Sequence, residues 1–194
     1  SLKILFFRAY MRVLKFGTWI LNFPKSPTLN GAGSSLLLCE QIAKSGIKNL
    51  LVVTDEMLMK IGLLNPMLAR LKELGIQTTI YDGIKPDPSI EQIETGVQLL
   101  KSTQCTAILA VGGGSPIDAA KVIATRAKNN YPIAWMAGLM RVAFRPLPLY
   151  VVPTTAGTGS ETTIAAVVSE PVNNRKFAIM SPRLVPIAAA VDGA

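Results

Sequence analysis

The chain contains no histidine, and among its 194 residues there are only two cysteines, Cys39 and Cys105. Without an imidazole it can offer no histidine base, no histidine metal ligand and no Ser–His–Asp relay of its own. The two cysteines match no zinc or redox spacing and stand among apolar residues. They read as reduced core thiols, which goes with a cytoplasmic setting. No uncharged apolar run reaches 18 residues, so no membrane-spanning helix is expected. Acid is also missing from the start of the chain: Lys3, Arg8, Arg12, Lys15 and Lys25 all precede Glu40, the first carboxylate.

That gap accounts for most of the net charge of +8. Nucleic-acid binders spread basic residues and stacking aromatics over a folded face. Here the excess belongs to one terminal segment, and no nucleic-acid partner is expected. Over residues 1–21, Arg8, Arg12 and Lys15 share one helical face while Leu5, Phe6, Tyr10, Val13, Leu14 and Phe16 cover much of the rest. The segment reads as an amphipathic helix that docks on protein, at a subunit interface of a homo-oligomer. Peripheral contact with a membrane surface is the alternative. It is no secretory signal, because basic residues interrupt its apolar stretch. With Pro24 and Pro27 closing a linker, residues 1–27 form one segment and 28–194 one domain. A hydrophobic content of 49% suffices to give that domain a core.

The most informative stretch is AILAVGGGSPIDAA at 107–120. Residues 107–111 read as a buried parallel strand. Gly112, Gly113 and Gly114 follow, then Ser115 as a helix N-cap, Pro116 as the first helical residue and Asp118 completing a short capping box. Three residues without a Cβ let a ligand meet bare backbone. A helix start adds free N–H groups and partial positive charge, which makes an anion site suited to a pyrophosphate. The plainer alternative is a tight strand-to-helix turn.

Around this stretch, strands are expected at 49–54, 76–81, 149–152 and 187–191. Helices are expected at 34–45, 57–74 (divided by Gly62 and Pro66), 89–101 and 116–128. A hairpin over 162–169 and 176–180 turns at Asn173-Asn174, and 129–148 reads as an irregular surface excursion. The alternation predicts an α/β fold: a doubly wound, mainly parallel, Rossmann-like sheet that binds ligands at the carboxyl ends of its strands. Asp55, the glycine turn and PTTAGTGSE at 153–161 all fall at those ends. The threonines of the last stretch serve no packing need after a buried strand, and they suit a sugar, a phosphate or a nicotinamide. A polar structural loop is the alternative. The chain lacks the usual G-x-G-x-x-G on its first strand.

VTD at 53–55, YDG at 81–83 with Pro86 and Pro88, GGGSPIDAAK at 112–121 and PTTAGTGSET at 153–162 closely resemble the iron-containing alcohol dehydrogenase family. RKFAIMSP at 175–182 and the ending LVP…AAVDGA resemble it too, so the likeness spans roughly residues 28–194. It implies the N-terminal, dehydroquinate-synthase-like nucleotide-binding domain of a nicotinamide- and metal-dependent dehydrogenase acting on a small alcohol or aldehyde. By the same resemblance Gly112, Gly113, Gly114 and Ser115 bind the pyrophosphate, with Asp118 of the same motif among the cofactor-binding residues. Thr154, Thr155, Thr158 and Thr163 line the cofactor groove. Lys176 sits near the nicotinamide ribose, and Asp55 takes the adenosine ribose hydroxyls. A carboxylate there repels a 2′-phosphate, so NAD is expected over NADP.

The family's metal, Fe2+ or Zn2+, is held by one aspartate and three histidines of a helical C-terminal domain, and none of these is here. Asp192 matches a motif aspartate that is not a ligand. The sequence is therefore expected to be a fragment, inactive alone, of an active parent. Alternatives are a dehydroquinate-synthase-like or glycerol-dehydrogenase-like enzyme and a non-catalytic nucleotide-binding module. The form PTTAGTGSE argues against the dehydroquinate-synthase-like enzyme.

Overall fold

The computed structural model describes residues 26–171 and 174–193. The amphipathic segment expected over 1–21 therefore lies outside the described residues, as does Asn173. Strand β4, Ala107–Gly112, is buried along its whole length, as its unbroken apolar sequence requires of a strand covered on both faces. It lies in the middle of a six-stranded sheet whose hydrogen-bonded pairs are all parallel. From one edge the order is β1 (Thr28–Asn30), β9 (Ala188–Val191), β6 (Leu149–Pro153), β4, β2 (Asn49–Val53) and β3 (Gln77–Tyr81).

Helices cover both faces. One apolar core joins Leu50, Val52, Leu109 and Val111 to α1 (Ser34–Lys44) and α3 (Asn65–Glu73). The other joins Leu51, Val53, Ile108 and Ala110 to α4 (Ile90–Ser102) and α5 (Gly114–Lys128). Neighbouring residues of one strand thus serve opposite cores, the period of two that a pleated strand imposes. The order β3-β2-β4-β6-β9 is flavodoxin-like, with β1 added at the edge. Its direction reverses between β2 and β4, and the crevice outside the carboxyl ends of those two strands is the topological switch point.

The expected division of residues 57–74 is present. Short α2 (Glu56–Lys60) is closed by Ile61, Gly62 follows at φ 74°, and Pro66 sits in the first turn of α3. Ser89 and Gln92 form a reciprocal capping box at the start of α4. The hairpin consists of antiparallel β7 (Ala165–Glu170) and β8 (Arg175–Met180), so residues 162–164 expected in its first strand remain outside it. The 129–148 stretch is more ordered than expected. It holds a 3-10 turn, Ile133–Met136, and β5 (Gly138–Leu139), which pairs with β8 to make a second, three-stranded sheet. Asn129 fastens it, its amide accepting from Phe144 N at 2.8 Å and donating to Phe144 O at 3.1 Å.

Candidate nucleotide site

The glycine turn lies at the carboxyl end of β4, beside the switch point. Its three glycines meet different constraints. Gly112 has φ 150°, and a Cβ on it would come within 2.7 Å of Pro116 Cγ, so the turn itself demands glycine there. A Cβ on Gly113 would stand 3.3 Å from Thr155 Oγ1, and one on Gly114 would stand 3.5 Å from Ser160 Oγ. Those two glycines therefore face the 153–161 loop across a narrow gap. Register brings the loop there: Gly112 pairs with Pro153 between β4 and β6, and Thr154 N donates to Gly112 O at 3.0 Å. Thr154, Thr155 and Thr158 are exposed at the same end of the sheet.

Two capping expectations are corrected. Gly113, not Ser115, is the N-cap of α5, and no side chain caps that end. The helix begins at Gly114, which puts Pro116 third in the first turn, where its missing N–H breaks no intrahelical bond. Ser115 Oγ instead accepts from Asp87 N at 3.3 Å. Asp118 closes no capping box: its carboxylate accepts from Val167 N of β7 at 3.0 Å. Burial pushes the Asp118 carboxyl up, against the opposing pull of the Val167 N–H and of Lys121.

Asp55 lies at the carboxyl end of β2, on the other side of the switch point. It is the N-cap of α2, Oδ1 accepting from Leu58 N at 3.0 Å. Lys176 on β8 forms an exposed ion pair with Asp87, Nζ to Oδ2 2.6 Å. Asp87, at φ 59° between Pro86 and Pro88, thus links two residues singled out from the sequence, Ser115 through its N–H and Lys176 through its carboxylate. The only hint of it in the sequence is the Pro-Asp-Pro turn.

The sequence motifs assign no role to Lys121. Its side chain is fully buried, and Nζ donates to Thr163 O (2.9 Å), Thr163 Oγ1 (2.9 Å) and Ala165 O (2.8 Å). Burial lowers its pKa from 10.5 to about 8, with Asp118 and Glu161 opposing the shift. A signal was available, since Ile117, Ala120, Lys121 and Ala124 share one helical stripe and a lysine on an apolar stripe asks for a partner.

Another glycine turn, with Gly31 at φ 105° and Gly33 at φ 77°, leads from β1 into α1 and is already filled. Asp192, at the end of β9, accepts from Gly33 N (2.9 Å) and Ser35 N (3.1 Å) and from the Ser35 hydroxyl. A groove of about 700 Å³ opens elsewhere, among Lys121, Arg145, Leu149, Pro182 and Ile187, and the glycine turn does not line it. Among the described residues no group of three or more His, Cys, Asp or Glu could hold a metal ion, and no helix is long and apolar enough to cross a membrane.

A doubly wound sheet with a glycine turn beside its switch point and a threonine loop packed against that turn defines a class of nucleotide-binding α/β domains. Within that class, the family model described as iron-containing alcohol dehydrogenase matches residues 26–193. The chain belongs to this family. It is 37% identical over 168 residues to alcohol dehydrogenase 4 of Schizosaccharomyces pombe, a match covering 86% of this chain and 40% of that protein. It is 33% identical over 162 residues to the NAD-dependent methanol dehydrogenase of Bacillus methanolicus, covering 84% of this chain and 42% of that one. Among solved structures, a 1,3-propanediol oxidoreductase superposes with a TM-score of 0.84 at 32% identity, over 88% of this chain and 45% of that one. The chain thus spans less than half the length of the proteins it matches.

Proposed function

We propose that this chain is the nucleotide-binding part of an NAD-dependent alcohol dehydrogenase of the iron-containing family, working on a small alcohol or aldehyde. The observation that carries the reading is the cleft beside the switch point, between the ends of β4 and β6, where Gly113 and Gly114 leave a gap that a Cβ would narrow against Thr155 and Ser160. Backbone N–H groups at the start of α5, with no side-chain cap, hold the pyrophosphate. Asp55 takes the adenosine ribose and disfavours a 2′-phosphate, which selects NAD over NADP. Thr154, Thr155, Thr158 and Thr163 line the groove, Ser115 and Asp118 flank it, and Lys176 reaches the nicotinamide ribose from β8. When bound, the nicotinamide exchanges a hydride with the carbinol carbon.

The residues described here do not fit a catalytic metal, and no step is assigned to one. An Fe2+ or Zn2+ site belongs, on this reading, to the portion of the relatives' length that this chain does not span. The proposal includes a cytoplasmic homo-oligomer, with residues 1–27 as a segment separate from the 28–194 domain.

Gly113→Ala tests it, with NAD binding by the full-length protein read in a calorimeter. The added methyl meets only the Thr155 side chain, at 3.3 Å from Oγ1 and 3.4 Å from Cγ2, and Gly113 has φ −75°, so the fold should be kept. An affinity loss of about tenfold or more is expected, since the methyl blocks close approach of an anion to bare backbone. Unchanged affinity in the folded variant removes the glycine turn from the site.

A further inference from the structure

The loop from Thr154 to Thr163 is fastened at both ends to the β4–α5 unit. At its start, Thr154 N donates to Gly112 O at 3.0 Å. At its far end Lys121 Nζ reaches Thr163 O, Thr163 Oγ1 and Ala165 O within 2.9 Å, beside Asp118 of the same helix, which holds Val167 N and the Ser160 side chain. Between the two ties, Thr155 to Thr158 are exposed and lie against Gly113 and Gly114. We propose that Lys121 is a positioning residue for nucleotide binding, its buried ammonium holding the threonine loop across the glycine turn at the width the pyrophosphate and its neighbouring ribose require.

The donor arithmetic supports a charged group in this role. An ammonium has three donors and no acceptor, and it faces three oxygens. While it donates to Thr163 Oγ1, the hydroxyl hydrogen of Thr163 points elsewhere, toward Ser160 O (3.4 Å), Ala165 O (3.3 Å) or a ligand. A neutral amine has only two donors and a lone pair, which draws the Thr163 hydrogen inward and changes what the loop offers. The groups that face Lys121 come from each packed element. Asp118 lies on its own helix and Glu161 and Thr163 on the loop, while Arg145 and Arg183 line the same groove as Lys121. Arg183 is occupied with the carbonyls of Val142 and Ala143. Burial is the largest influence, and it brings the charge change down to about pH 8.

This inference rests on the nucleotide-binding reading and makes a demand of its own. Because the ammonium is the binding-competent form, NAD affinity should fall as pH rises through about 8. By linkage, NAD binding near that pH takes up a proton. Fold stability should move the other way. The group titrates near 8 when folded and near 10.5 when unfolded, so between those values the unfolded chain holds more protons and stability from Lys121 rises with pH. Loss of affinity while stability rises is a signature that a purely structural lysine does not give.

The experiment is calorimetric titration of the full-length protein with NAD from pH 6.5 to 9.5, in buffers of different ionisation enthalpy, alongside thermal unfolding. Wild type should show proton uptake near pH 8 that Lys121→Met abolishes, and the variant should bind NAD about tenfold or more weakly with a flat pH profile. A folded Lys121→Met that binds like wild type overturns the inference. If Lys121→Met does not fold, the wild-type data decide: uptake near pH 8 supports it and its absence overturns it. Wild type binding NAD with a flat profile removes Lys121 alone. Wild type binding no NAD at any pH removes the nucleotide reading and this inference together.

Discussion

Cys39 shows how completely the surroundings set the chemistry of one side chain. It is buried in the core between α1 and α3, its Sγ 3.9 Å from Met67 O, and burial pushes the thiol up to about 11. Only a very small fraction is thiolate at pH 8, and the thiolate is the reactive form. Cys105 is buried as well, its Sγ 3.2 Å from Thr103 Oγ1. Neither should react with a thiol-specific disulfide reagent at pH 8 in the folded protein, and both should react at once in denaturant. Rapid labelling of Cys39 in the native state would show that the core opens near α1. At this scale the sequence spoke clearly about apolar residues and poorly about polar ones. Two thiols in apolar stretches read directly as core. The spacing of Ser115 and Asp118 suits a cap, whereas their partners, Asp87 and Val167, come from distant parts of the chain. The partners of Lys121, like theirs, are set by the fold and not by spacing.

At the scale of elements, the long parallel strands and their crossover helices were legible because each is specified locally. An apolar run makes a covered strand, a 3.6-residue period makes a half-covered helix, and glycine or proline ends each. The pairing of β5 with β8 was not legible, since two residues carry no pattern and only the register of β8 recruits them. The element that joins fold to function most directly is α2. Asp55 is its N-cap, so the carboxylate expected at the adenosine ribose is also part of the backbone structure. Removing the side chain altogether would confuse these two jobs. Asp55→Asn separates them, keeping an oxygen for Leu58 N while deleting the charge. We expect the ratio of NADP to NAD affinity to rise several-fold with little change in melting temperature. A fold kept and a ratio unmoved would take Asp55 out of cofactor selection.

For the whole molecule, the question is what closes a sheet whose edge strand comes first in sequence and whose neighbour comes last. β1 and β9 pair over three residues only, from Thr28 with Ala189 to Asn30 with Val191. So short a ladder is weak alone, and Asp192 reinforces it by accepting from Gly33 N, Ser35 N and the Ser35 hydroxyl. One carboxylate thereby caps α1, fixes β1 against β9 and fills the glycine turn between β1 and α1. It also gives the motif aspartate, matched from the family resemblance as a non-ligand, a physical reason to be acidic. Its charge complements the helix start, and its two oxygens satisfy N–H groups that would otherwise be unpaired. Replacing it by Ala removes several charge-assisted bonds and should cost about 2–3 kcal/mol, within the range of a lost cap and a broken charged network. Asn retains one accepting oxygen and should cost about half as much. Thermal unfolding of the two variants beside wild type measures this directly. NAD affinity should remain close to wild type in both, because the glycine turn follows β4, two strands along the sheet from β9. If Asp192→Ala melts with wild type, the edge is held by its ladder and by α1 packing, and the carboxylate contributes little. If it melts as expected but also loses NAD, the two ends of the sheet are coupled, and the edge formed by β1 and β9 helps to shape the nucleotide cleft.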